Sequence, residues 1–175
     1  SFMNNTQSNN NFNSKNNINE PKIMGILNVT PDSFYSGSRF TTEDNILKQV
    51  DKMLSEGMDI IDIGGMSTRP GCKTVTPNEE FERVVPIVKL IHHKYPNLII
   101  SVDTFRSNVA KGSCDEGCTL INDISGAIDE KILDVAREYS ATYLLMHYYG
   151  DENGKMESHV YDDIINDMLK YFEEK

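Results

Sequence analysis

The chain has 175 residues, 38% hydrophobic and 25% charged, with a formal net charge of −10. That length holds one domain with a proper core, no apolar run approaches the roughly 18 residues that a membrane span needs, and the acidic balance argues against nucleic acid or an anionic membrane surface as partner. The three cysteines, Cys72, Cys114 and Cys118, are odd in number and sparse, which argues against a disulfide framework and for a reducing compartment, the cytoplasm.

Residues 1–20 stand apart. Nine of the first 19 are Asn, and only Phe2, Met3, Phe12 and Ile18 among them are large and apolar. This composition predicts a disordered polar tail. It has neither the apolar stretch of a signal peptide nor the arginines of a transit peptide. The folded part, 21–175, begins near Pro21.

From Ile23 the pattern alternates. Residues 23–26 read as a short buried strand that runs into the polar loop Asn28-Val-Thr-Pro-Asp-Ser33. Ile46, Leu47, Val50, Met53 and Leu54 form one apolar face of a helix, which Gly57 stops. The next strand covers 58–63 and ends at Gly64-Gly65. Thr76 as N-cap, Pro77 at N1 and Glu79 at N3 then open a second helix. Its apolar side is Phe81, Val84, Val85, Val88, Leu90 and Ile91, and Pro86 predicts a kink or a short break. A third strand over 98–102 ends at Asp103-Thr104, and a helix over 106–116 is closed by Gly117. A fourth strand over 119–121 ends at Asn122-Asp123, with a helix over 129–139. A fifth strand over 142–146 ends at His147, and a final helix starts near Val160. Cys114 and Cys118 lie on or after a helix as ordinary small residues, and His92, His93 and His159 read as solvated.

Five βα units in a row, with short apolar β-branched strands, describe a parallel sheet covered on both faces. A doubly wound sheet and a closed barrel both alternate this way. The barrel is favoured because every strand carries polar residues at its C-terminal end (Asn28, Asp62, Asp103, Asn122, His147), and in a (β/α)8 TIM barrel these positions share the catalytic rim. A doubly wound fold would concentrate them at one switch point. At about 31 residues per unit from residue 23, eight units need about 245, near the usual barrel size. The expectation is therefore the first five βα units of such a barrel.

Five motifs at successive strand ends carry a resemblance: Met24-Gly-Ile-Leu-Asn-Val-Thr-Pro-Asp-Ser-Phe34, Ile61-Asp-Ile-Gly-Gly-Met-Ser-Thr-Arg-Pro-Gly71, Ser101-Val-Asp-Thr-Phe105, Ile121-Asn-Asp-Ile-Ser-Gly126 and Leu145-Met-His147. Over about residues 22–172 the chain resembles dihydropteroate synthase, a pterin-binding barrel family of folate biosynthesis. Met66 departs from the pattern, at a position where the family usually has glutamate. The resemblance implies condensation of p-aminobenzoate with 6-hydroxymethyl-7,8-dihydropterin diphosphate, giving 7,8-dihydropteroate and diphosphate. It also implies a sulfonamide target, a Mg²⁺ cofactor, a cytoplasmic location and a homodimer of the full-length protein.

By the same resemblance Asp103 and Asn122 hydrogen-bond the pterin, with Ile124 and Met146 against its face. Asn28 is the metal or diphosphate ligand. Asp32, Ser67, Thr68, Arg69 and Pro70 belong to two closing loops, 29–39 and 66–76. Asp32 and Asp103 stabilise the cation left when diphosphate departs. Asp62 is either a buried acceptor that orients loops or a plain structural residue. Read singly, Asp103 could equally cap the following helix and Asn122 could be a turn residue. Further site residues are implied on strands six to eight, beyond Lys175. The alternatives are a pterin-binding methyltransferase domain and a non-catalytic homologue.

Overall fold

The computed structural model describes residues 21–30, 39–66 and 74–145. They form β1 Met24–Asn28, α1 Arg39–Ser55, β2 Ile60–Gly64, α2 Pro77–Lys94, β3 Ile99–Asp103, α3 Ser107–Asp115, β4 Leu120–Asp123, α4 Lys131–Glu138 and β5 Thr142–Leu145. The polar tail and the final helix expected from Val160 lie outside the described residues. Among the described residues no helix is long and apolar enough to cross a membrane.

All five strands are parallel, and each pairs with the next in chain order. A doubly wound sheet must reverse its strand order at the switch point. Here the order never reverses, so crossovers of the usual right hand put every helix on the same side. This is the arrangement of the first five strands of a (β/α)8 barrel with the four helices between them.

The two faces of the sheet differ in chemistry. On the helix side, Leu27, Ile61, Ile63, Ile100, Val102 and Ile121 are buried with Val84, Val88 and Ile91 of α2, Val109 of α3 and Ile132 of α4. Helix α2 packs on α3, and α3 on α4. On the other face the register aligns Asn28, Gly64, Asp103, Asn122 and Leu144 in one row across all five strands. Since side chains alternate along a strand, Ile26, Asp62, Ser101 and Leu120 share that face one step below.

Local signals explain most boundaries. The Thr76 side chain accepts from the Glu79 amide at 3.2 Å, the expected N-cap of α2. Gly117, at φ +111°, turns the chain between α3 and β4, and its Cα lies so close to the His92 ring that a Cβ would stand 2.5 Å from it. His92 is consequently not a simply solvated residue: its Nδ1 is buried without a partner. Helix α2 runs unbroken through Pro86, so the expected break is corrected. Residue 86 is exposed, and the amide a proline lacks is lost on the outer side of the helix. The fourth helix begins at Lys131 instead of 129, and the Asp129 carboxylate, just ahead of it, accepts from the Lys131 amide at 3.2 Å. It also accepts from the amide of Ser107 at 2.8 Å, satisfying a free donor in the first turn of α3.

Candidate functional site

The site is the row of strand-end residues on the helix-free face. Asp103 and Asn122 are direct neighbours in register, and Gly64 separates Asp103 from Asn28. A Cβ on Gly64 would stand 3.5 Å from Asp103 Oδ2 and 3.8 Å from Asn28 Oδ1. The missing side chain thus leaves a gap between a carboxylate and an amide oxygen.

Below that row lies a buried polar cluster. Asp62 accepts from Ser101 Oγ at 2.7 Å and from Asn122 Nδ2 at 3.2 Å. Its carboxyl is pushed up by burial, against the pull of these two hydrogen bonds. The donors sit on β3 and β4, the next two strands of the sheet, so these contacts of Asp62 are with strand side chains. Asn122 is almost wholly buried, and its Oδ1 has no partner among the described residues.

Asp103 makes no hydrogen bond through its carboxylate among the described residues and does not cap α3, whose N-cap is Arg106. Burial first, then the negative fields of Asp62, Glu80 and Asp123, raise its pKa to about 7. An acidic group poised near neutrality, free of partners and facing a gap, is a candidate for binding or charge stabilisation. The turn after β4 is held by Asp123 instead of Asn122. Asp123 accepts from the Ser125 amide and hydroxyl at 2.9 and 2.6 Å, the Ala127 amide at 3.1 Å and the Tyr143 hydroxyl at 2.7 Å. Burial and that bond raise the Tyr143 hydroxyl well above its ordinary pKa.

The structure therefore brings together Asn28, Asp62, Asp103 and Asn122. Ile124 follows β4 in the turn, with an exposed side chain. Asp32, Ser67, Thr68, Arg69, Pro70 and Met146 lie outside the described residues. Sequence reasoning missed Ser101, Asp123 and Glu80. Glu80 is fully buried, accepting from Thr104 Oγ1 at 2.7 Å and from Arg106 at 3.2 Å. Burial raises its pKa against these partners. It ties the first turn of α2 to the loop that follows Asp103. Its signal was present, since Glu80, Val84, Ile87 and Ile91 share one helical face.

Among the described residues no group of three or more His, Cys, Asp and Glu could hold a metal ion. The donors beside Gly64 suit instead a cation that keeps most of its waters and takes its other ligands from a substrate, as Mg²⁺ does.

The chain matches the family of pterin binding enzymes over residues 24–175. It is 42% identical over 150 residues to dihydropteroate synthase of Streptococcus pyogenes, covering 85% of this chain and 53% of that one. It therefore spans about half the length of the curated relatives it matches. Among solved structures, 7,8-dihydropteroate synthase of Vibrio fischeri ES114 superposes with a TM-score of 0.66 at 43% identity, covering 77% of this chain and 48% of that one. The Xanthomonas albilineans dihydropteroate synthase with 4-aminobenzoic acid gives a TM-score of 0.66 at 35% identity, covering 77% and 50%.

Proposed function

Because the chain belongs to the pterin binding enzyme family, we propose that the protein is a dihydropteroate synthase, a transferase that condenses p-aminobenzoate with 6-hydroxymethyl-7,8-dihydropterin diphosphate. The observation that carries this reading is the pair Asp103 and Asn122. They adjoin in register at two strand ends, one with a free carboxylate near neutrality and the other with a buried oxygen lacking a partner. A flat heterocycle with an amidine-like N–H edge supplies the donors that both acceptors lack.

The reaction breaks the bond between the pterin CH₂ carbon and the diphosphate oxygen and forms one to the amine nitrogen of p-aminobenzoate. The departing oxygen keeps the electron pair, and the amine loses a proton. Charge separates on the way, with the cation spread into the ring and the anion on the diphosphate. Asp103 at the ring stabilises the cation once ionised, and Asp32 of the first loop is the second candidate for that task. Asn28 would hold Mg²⁺ through its side-chain oxygen. When bound, that ion neutralises the leaving phosphates. Ile124 and Met146 would lie against the ring, and Ser67, Thr68, Arg69 and Pro70 would close over the site. Asp62 supports the slot from below. The same reading makes the protein a sulfonamide target, a homodimer and a cytoplasmic enzyme.

The test is diphosphate release by the whole protein from the pterin diphosphate. Release that depends on p-aminobenzoate and is competed by a sulfonamide is expected. Pterin binding without release would instead favour the methyltransferase or non-catalytic reading.

A further inference from the structure

Asp62 and Asn122 are 4% and 5% exposed, and nothing in the proposed chemistry requires the bond between them. The Ser101 hydroxyl and the Asn122 amide both donate to Asp62, and while its carboxylate is ionised it can only accept, so neither bond can reverse. A side-chain amide has one donating and one accepting end. Committing Nδ2 to Asp62 at 3.2 Å therefore fixes which way Oδ1 points, and Oδ1 is the atom left without a partner. Were the amide turned over, the oxygen would face the Asp62 carboxylate and be repelled.

We propose that Asp62 is a specificity-determining positioning residue: by holding the Asn122 amide in one orientation, it makes the slot beside Asp103 an acceptor-only surface that takes a heterocycle edge bearing N–H donors and rejects one presenting lone pairs. This deepens the pterin reading and rests on it. Asp62 touches no ligand in this account and acts through Asn122. Its carboxylate is what matters, because a neutral isostere would not fix the amide. With Asn at position 62, one arrangement has the new amide oxygen accepting from Asn122 Nδ2 and the new NH₂ donating to Ser101. The other has the new NH₂ donating to Asn122 Oδ1 and the Ser101 hydroxyl donating to the new oxygen. Both arrangements satisfy two hydrogen bonds, so Asn122 would present either end to the ligand.

The experiment measures binding of 6-hydroxymethylpterin and of its 2-deamino analogue to the whole protein by calorimetry. A site built to pair with a donor discriminates strongly against the analogue lacking it, so the wild type should prefer the amino compound by at least about tenfold. In Asp62→Asn, with an unchanged melting temperature, that preference should shrink to within about threefold, the amino compound bearing most of the loss. Ser101→Ala leaves the Asp62–Asn122 bond in place and should keep the preference, which separates orientation from general disturbance of the cluster. If Asp62→Asn weakens both compounds equally, or Ser101→Ala erases the preference as well, Asp62 is merely structural and the inference is overturned alone. If the wild type binds neither compound, the pterin reading falls and this inference falls with it.

Discussion

At the scale of single residues the site turns on Asp103. Replacing it by Asn keeps the shape but removes the charge that the ring cation needs. In the whole protein Asp103→Asn is expected to lose roughly 2–4 kcal/mol of binding and turnover while melting close to the wild type. Wild-type kinetics in that variant would sink the assignment. The pH dependence follows from its raised pKa of about 7, against about 3.9 in an unfolded chain. Between those values the folded state holds the extra proton, so the contribution of Asp103 to stability falls as pH rises from about 4 to 7 and stays flat above. Ligand binding should run the other way, because only the ionised carboxylate accepts two N–H donors. Affinity for 6-hydroxymethylpterin is expected to rise about tenfold per pH unit below 7 and to level off above it, and calorimetry across pH 5.5–8.5 checks this. Asp103 and Asn122 were legible as strand-end polar residues. Their competing roles, helix cap and turn residue, were removed only when Arg106 and Asp123 proved to occupy those places.

The elements show where the site gets its rigidity. Glu80 sits on the buried face of α2, yet its partners Thr104 and Arg106 belong to the loop leaving β3 one residue beyond Asp103. Helix α2 therefore anchors the end of the strand that carries the central carboxylate. Truncating one partner of a buried ion pair strands the other, so Glu80→Ala is expected to cost roughly 3–5 kcal/mol, read by denaturant unfolding. Glu80→Gln can still accept from Thr104 and should cost clearly less. Equal stability of Glu80→Ala and wild type would show that the Arg106 contact (side chain 13% exposed) is solvated and idle. The elements themselves were largely readable. The Thr76-Pro77-x-Glu79 start of α2 appears as expected, since capping chemistry is local. The start of α4 was less readable: Asp129 serves the first amide of α4 and also that of α3, the latter a contact 22 residues away in sequence.

At the scale of the whole molecule, β1 and β5 are each hydrogen-bonded on one side only among the described residues. The helix-free face carries Ile26 at 60% exposure and Ile99 at 42%, positions that a closed barrel fills with side chains from its other strands. Open parallel edges beside uncovered isoleucines are an association hazard. Residues 1–175 expressed alone are expected to elute as oligomers or aggregates on size exclusion. A chain extended by about 80–100 residues, enough for three more βα units, should elute as a compact species with a sharp melting transition. A compact monomer from the short chain would refute the eight-unit reading.

The sequence by itself determined the alternation of strands and helices, the placing of polar groups at strand ends and the family, because periodicity, capping and contiguous motifs are all written within a few residues of one another. Only the tertiary structure decided that the strands lie in unbroken chain order, which excludes a doubly wound sheet. It alone placed Asn28, Gly64, Asp103 and Asn122 in one row. It alone joined Asp62 to Asn122 across 60 residues of chain and set Asp103 among three other carboxylates. Register and burial depend on which strand lies beside which, and no local pattern in the chain encodes that.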